Sequence, residues 1–592
     1  MKKIFTICLL LAAARMMGQQ YNNEWINFNQ TYYKFKVGVS GLYRIPQATI
    51  VGAGLGSSQV QYMQLWRNGK QVPFYSTVAS GTLGAGDYLE FWGEANDGKP
   101  DRPLYRDAAY QHTDKISLET DTAMFFLTIS PNINPVRFIQ ITNDVASNVL
   151  PVEPYLWFTT ANYYKSRINS GVAAVVGEYV FSSSYDKGEF WSTSDIFPST
   201  PNIDGKNNLA VYAGGPDALL KWGASGNALN PRHVRVSVNG NLVADTVMDY
   251  FNDVSTSTVV PLGMIAGSTS SVQFVNTSSV ASDRMVISYY ELSYPRRFLF
   301  NLQKNFTFEL PAKSQGYYLE IQQFDAGSAT PVLYDLTNNN RIVADVSGGT
   351  YRFVVPALST TSQFVLVSED ASNIISVNSV TSKNFINFSD TTYQGDYLII
   401  SNPLLYNGTH GNNPVIEYRN YRRTTNGGAF NAKVIDINEL VDQFAFGIKK
   451  HPLSIRNFLS WARMNFTTAP KFAFLIGHGL TYVDHRKNES NPVADQLNLV
   501  PTFGYPGSDN KLGADDAVAS VTSTPIGRLS VVYASEIENY LEKVIEYETV
   551  QRTAPQSISD RNWMKNVMHV TGASDPYLGS VLCNYMTSYK AI

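Results

Sequence analysis

From residue 20 to about residue 385 the apolar and polar positions alternate in short runs. Tyr33-Lys34-Phe35-Lys36-Val37 changes character at every step, and Ser40-Gly41 follows it as a turn. Asp87-Tyr88-Leu89-Glu90-Phe91-Trp92 reads as a second strand ending at Gly93. His233-Val234-Arg235-Val236-Ser237-Val238 runs into Asn239-Gly240 and then Leu242-Val243-Ala244, the signature of a tight hairpin. Segments 284–290, 351–355 and 364–367 continue the pattern. Strands at this spacing, with no long helical period between them, predict sandwich or jelly-roll β modules.

Near residue 396 the pattern changes. Tyr397-Leu398-Ile399-Ile400 is a continuous apolar run, as in a strand covered on both faces. Helical spacing follows over 415–423, a strand over 432–437, a helix over 454–464 and an apolar strand over 472–476. Ile537, Leu541, Val544 and Ile545 share one face of a helix predicted over 536–548, and a further strand is expected over 566–570. Strand–helix–strand alternation predicts an α/β domain with a mainly parallel sheet. Pro151 and Pro154, the stretch after Pro295, and 389–395 mark the breaks. The expected division is 1–18 leader, 19–150 β domain, 151–305 β-sandwich, 306–390 small β domain, and 391–592 α/β domain.

The first residues change the picture of location. Lys2 and Lys3 precede an apolar run from Ile4 to Ala14, which has the form of an export leader, with cleavage after Ala14 or Gly18. The plainer alternative is a short buried strand. The run is too short for a membrane span, which takes about 20 apolar residues, and no later segment approaches one. Cys8 falls in the leader, so the mature chain keeps only Cys583 and has no intrachain disulfide. Lys and Arg total 46 against 49 Asp and Glu, a balance that offers no electrostatic footprint for nucleic acid. Charged residues make up 16% and aromatic residues 13% of the chain, which suits aromatic-rich sheets and excludes a charge-rich disordered protein.

Several ordered segments carry a resemblance. DYLIIS at 396–401, YRNYRRTT at 418–425, FAFLIGHG at 472–479, Val500-Pro501-Thr502, the acidic positions Asp509, Asp515 and Asp516, Ile526-Gly527-Arg528-Leu529, YLEKVIEYE at 540–548 and WMKNVMHVTG at 563–572 resemble the gingipain-type cysteine peptidases. Gly41-Leu42-Tyr43-Arg44, 87–93, Tyr185-Asp186-Lys187-Gly188 and Glu291-Leu292-Ser293-Tyr294-Pro295-Arg296 resemble landmarks of the type IX secretion sortases, the PorU group. The resemblance implies a multidomain chain: N-terminal all-β sandwich or jelly-roll modules, then a caspase-like α/β domain. It further implies a cell-surface, outer-membrane-associated or secreted protein that acts on secreted cargo by thiolate acyl transfer, with other secretion-system components as partners. In that family a strand-end His-Gly precedes the catalytic Cys, and both lie in the second half of the domain. The resemblance therefore places them beyond Ile592, with the present domain truncated.

Two substitutes stand within the chain. His478-Gly479 has the form of the catalytic motif, but it aligns with an earlier strand end, where a structural His replaces an Asp. Cys583 follows His569 by 14 positions and falls in a predicted amphipathic helix over 577–589, as a buried small hydrophobe. His478 is thus a weak catalytic candidate and Cys583 a disfavoured one. Asp509, Asp515 and Asp516 are weak calcium candidates, since hard oxygen ligands suit that ion, although a solvated capping loop explains them as well. No other cofactor is expected. Asp484 and His485 read as a surface turn, and His112, His233, His410 and His451 have no metal-ligand spacing. The competing reading is a non-catalytic cell-surface β-sandwich protein that binds or scaffolds, using aromatic platforms for glycans or extended peptides.

Overall fold

The structure, a computed structural model, describes residues 21–133, 135–175, 179–573 and 575–591. The expected leader and Cys8 lie outside these residues. The β half begins with a sandwich. Thr381–Lys383, Tyr32–Val37, Ala123–Ile129, Met63–Arg67 and Lys70–Val72 form one sheet in that order, and Ile374–Ser376, Gly41–Pro46, Tyr88–Gly93 and Tyr75–Ser76 form the other. Alternation sends Phe35, Phe91 and Phe125 inward, where their rings meet at 5.5–6.0 Å between centroids.

Among the described residues the largest sheet has nine strands. Their order is Asp253–Val260, Ala218–Gly226, Met285–Arg296, Leu156–Tyr163, Asn305–Leu310, Ser362–Val367, Val332–Asp335, Asn340–Val343 and Ile139–Gln140. Two smaller sheets cover separate halves of its inner face. Asn202–Lys206, Ser270–Asn276, His233–Val238 and Asn241–Val247 close a core around Trp222, Phe274 and Tyr290. Leu299–Gln303, Tyr317–Phe324, Thr350–Val355 and Asp345–Ser347 close another around Phe300, Phe306 and Phe308. Phe158 packs against both cores. The predicted hairpin is present: Asn239 and Gly240 have φ of +48° and +80°, the positive values a two-residue primed turn needs.

Strand pairing crosses the expected breaks. Pro295 lies inside the strand Met285–Arg296, paired with Trp157; the chain then crosses to the smaller sheet at Leu299–Gln303 and returns to the nine-stranded sheet at Asn305–Leu310. Segments 374–376 and 381–383 return to the first sandwich, where Leu42 pairs with Ile374 and Tyr33 with Ser382. These pairings join residues more than 300 positions apart, which local composition does not reveal.

The α/β unit has a parallel sheet of β1 (Tyr397–Ser401), β2 (Ala432–Asp436), β3 (Phe472–Ile476) and β4 (Ile526–Leu529), in the order β2-β1-β3-β4. Its helices are α1 (Pro414–Arg423), α2 (Ile437–Phe444), α3 (Leu453–Asn465), α4 (Tyr482–Lys487), α5 (Pro492–Leu497), α6 (Asn510–Gly513), α7 (Ala534–Thr553), α8 (Ile558–Arg561) and α9 (Pro576–Ala591). Leu398, Ile400 and Leu475 face α2 and α3, in a core that also takes Leu104, Tyr105, Leu118 and Tyr185 from the β half. Ile399 and Ile476 face the other way, onto Val415 and Tyr418 of α1 and Ile537 of α7. The β half thus supplies part of the α/β core.

One expected element is not formed. Segment 566–570 is irregular, with Val567, Met568 and Val570 between 77% and 85% exposed. The turn Asn562–Lys565 precedes it, and Trp563 of that turn packs edge-on against Tyr547 of α7, 5.6 Å between centroids, on the outside of the sheet. Among the described residues no strand pairs with this segment. Among the described residues no helix is long and apolar enough to cross a membrane.

Candidate functional site

In an open parallel sheet, side chains gather at the carboxyl ends of the strands where the strand order reverses. Here that point lies between β1 and β3. Ser401 ends β1 and donates its hydroxyl to the Ile476 carbonyl at 2.9 Å, tying the two strand ends together. Asn402 follows; its amide donates to the Leu499 carbonyl at 3.0 Å and its oxygen accepts from the Leu404 N–H at 3.0 Å. Gly477 leaves β3 with φ of +141°, and a Cβ there would meet Val500 Cγ2 at 2.9 Å. Only glycine suits both the angle and the close approach.

His478 comes next and is half-buried. Its backbone N–H donates to the Val531 carbonyl at 2.8 Å, and its carbonyl accepts from Leu499 and Val500. Its Nδ1 lies 2.7 Å from the Leu497 carbonyl, which can only accept, so Nδ1 carries a proton and donates it there. Cys583 sits elsewhere, on α9. It is exposed rather than buried as expected, and its Sγ is 3.5 Å from Thr571 Oγ1. His569, the other histidine near it in sequence, lies in the irregular segment rather than in a strand.

The three candidate aspartates have different partners. Asp509 forms a two-pronged pair with Arg528, 2.7 Å at each prong, and accepts from Thr502 at 3.0 Å. Asp515 accepts from Ser523 at 2.6 Å and pairs with Arg463, and the Ser523 hydrogen bond first, then the Arg463 charge, hold its carboxyl below its ordinary range. Asp516 accepts from the N–H groups of Val518 and Ala519 at 2.8 and 2.7 Å. Among the described residues no group of three or more His, Cys, Asp or Glu is arranged to hold a metal ion.

Arg528 is the residue whose role the sequence left open. Beyond Asp509, it donates to the carbonyls of Gly477 and Val500 at 2.7 Å and of Pro501 at 2.9 Å. One planar guanidinium therefore holds β4, the end of β3 and loop 498–509 in register. The Gly-Arg pair in a short strand was the only signal for it.

A second polar cluster joins α4 to the β half. Tyr185 donates to Glu119 at 2.8 Å, and Tyr482 of α4 donates to Glu189. Glu119 is fully buried, and burial, then the Asp101 charge, push its carboxyl up to about 8. Burial raises Glu189 well above its ordinary value too. His451, at the start of α3, accepts from the Leu453 N–H at 3.2 Å through Nδ1 and reaches Asp101 at 3.3 Å through Nε2. His485, expected on a surface turn, is buried on α4, where burial and then Lys449 and Lys450 bring it down to about 4. Asp484 is exposed, as expected, and accepts from Thr481 at 2.8 Å.

Residues 390–590 match the model of Peptidase family C25. Across 92% of its length the chain is similar in fold to dimeric latent PorU from Porphyromonas gingivalis, at 15% identity and a TM-score of 0.56. The chain spans 52% of that protein's length. Local matches to a calcium- and xylotriose-bound carbohydrate-binding module CBM36 (7% identity, 17% of this chain and 77% of that one, TM-score 0.14) and to a β-glucuronidase from Ruminococcus gnavus (11%, 68% and 82%, 0.17) are too weak to bear on the fold. No curated protein matches. The expected fold class therefore holds: β modules followed by an α/β domain that matches the C25 family model, in an arrangement similar to that of PorU.

Proposed function

We propose that this chain is the N-terminal part of an exported gingipain-family cysteine peptidase that acts on secreted cargo in the manner of a type IX secretion sortase. The observation that carries the reading is the PorU-like arrangement over 92% of the chain, together with the C25 match at 390–590. The leader pattern at 1–18 supports export, and the cell surface is then the proposed place of action.

The proposed reaction is acyl transfer. A thiolate attacks the scissile carbonyl, a C–S bond replaces the C–N bond, and the leaving amine takes its proton from an imidazolium. Water or an amine then opens the thioester. The reading assigns neither group to His478 or Cys583: His478 is bonded through Nδ1 to the Leu497 carbonyl, and Cys583 is exposed on α9 beside Thr571. It takes both groups from sequence following this chain, needs no cofactor, and treats the β half as the support of the α/β core. The reading frame after codon 592 tests it. A strand-end His-Gly followed by a Cys supports the proposal, and the lack of both removes the enzyme claim. That His478 bonds to the Leu497 carbonyl and Cys583 to Thr571, rather than to each other, favours one second reading, a non-catalytic surface protein that binds or scaffolds.

A further inference from the structure

The outer face of the nine-stranded sheet carries a groove of about 660 Å³, walled on one side by segment 111–115. Period-two alternation along Leu156–Tyr163 brings Trp157, Thr159, Ala161 and Tyr163 to this face. At about 3.3 Å per residue, Trp157 and Tyr163 stand about 20 Å apart. Between them the neighbouring strand presents polar groups: Glu291 is opposite Ala161 and Ser293 is opposite Thr159. Lys221 stands across from Glu291, and Glu309 lies between Trp157 and Gln363. The groove thus has an aromatic group at each end and a hydrogen-bonding floor.

The groove is built rather than accidental. Tyr163 donates to Glu291 at 2.6 Å and its ring stacks on Tyr289, 6.3 Å between centroids. Thr159 and Ser293 share a hydrogen bond of 2.7 Å. In the wall, buried His112 is pinned at both ring nitrogens, by Ser288 and Asp253, each at 3.0 Å. Ser288 falls where the ladder shifts register, at a bulge that aims its hydroxyl at this ring. Lys221, Thr307, Glu309 and Gln363 line the groove, and their side chains make no hydrogen bond or ion pair with the described residues. Their donors and acceptors are free for a ligand.

We infer that this groove binds a short, linear, uncharged oligosaccharide. The lining balances three cations, Arg102, Lys115 and Lys221, against three anions, Asp114, Glu291 and Glu309, so it does not select a charged ligand. Ring faces at the ends suit the apolar faces of sugars, and the hydroxyl, amide and charged groups between suit their hydroxyls. A peptide strand would need apolar pockets for alternate side chains, and the floor between Trp157 and Tyr163 offers Thr, Ser, Glu and Lys instead. The groove lies wholly in the β half, so the inference does not depend on the peptidase reading.

Isothermal titration calorimetry of the full chain with cellohexaose, xylohexaose and mannohexaose tests it. A heparin hexasaccharide and an uncharged Gly/Ser/Thr decapeptide serve as comparisons. We expect one neutral hexasaccharide to bind one-to-one, tighter than about 1 mM. Trp157→Ala should weaken that binding at least about tenfold. Glu309→Ala, at an exposed position where folding is not at stake, should weaken it severalfold, and Lys36→Ala should leave it unchanged. The inference is overturned if no neutral hexasaccharide binds, if binding survives both groove variants, or if the peptide or the heparin fragment binds more tightly.

Discussion

Arg528 and Glu119 are the two side chains whose chemistry most constrains the α/β unit. Arg528 is 11% exposed and bonds to one carboxylate and three carbonyls. Arg528→Ala strands a half-buried Asp509 and those carbonyls, so it should cost about 3 kcal/mol, and a lysine should not restore the forked geometry. Hydrogen exchange over 498–509 reads this as local loosening before global unfolding. Glu119 holds its proton up to about 8 in the folded protein against an ordinary value of 4.5. Its contribution to stability is therefore complete below about 4.5 and is lost as pH rises through about 8. Thermal melts between pH 5 and 9 should show stability falling with pH, and Glu119→Gln should flatten that slope. His485 contributes with the opposite sign: its value of about 4 lies below its ordinary 6.5, so stability is lost as pH falls through that window. The sequence showed neither carboxylate burial nor His485 burial, because the first depends on Tyr185 and Tyr482 meeting Glu119 and Glu189, and the second on α4 packing beside Lys449 and Lys450.

At the scale of elements, legibility follows how local the cause is. The strands β1 and β3 were readable nearly to the residue, because continuous apolar runs mark the central strands of a parallel sheet, and the edge strand β2 was readable from the short run at 432–437 between helical segments. Helix α3 was readable from its spacing. Helix α2 was not, because its eight residues follow β2 directly and are capped by Asp436, the last residue of that strand. Strand 566–570 was misread because among the described residues no strand pairs with this short stretch. The α2–α3 pair is where the α/β core is most concentrated, with Phe444, Phe458 and Phe388 in mutual contact at 5.0–6.4 Å between centroids. Phe458→Ala should cost about 3–5 kcal/mol. Limited proteolysis should then cut within 390–530 while the sandwiches around Trp222 and Phe306 stay intact.

At the scale of the whole molecule, the β half is a chain of sandwiches sewn together by distant pairings. Tyr334 donates to Glu90, and Glu90 also accepts from Arg44 at 2.6 Å, joining the first sandwich to the long sheet. Residues 306–390 expressed alone should not fold, since Thr381–Lys383 and Ile374–Ser376 lose their partners at 32–46; a collapsed amide NMR spectrum is the expected result. The candidate chemistry was legible only as a set of motifs, because a resemblance names the family's groups while distances decide which of them meet. The most direct measurement is peptidase turnover by the 592-residue protein, compared with the product of its extended reading frame and with His478→Ala and Cys583→Ala. The account predicts turnover in the extended protein and none in the 592-residue protein or its two variants. Turnover by the 592-residue protein that disappears in both variants contradicts it.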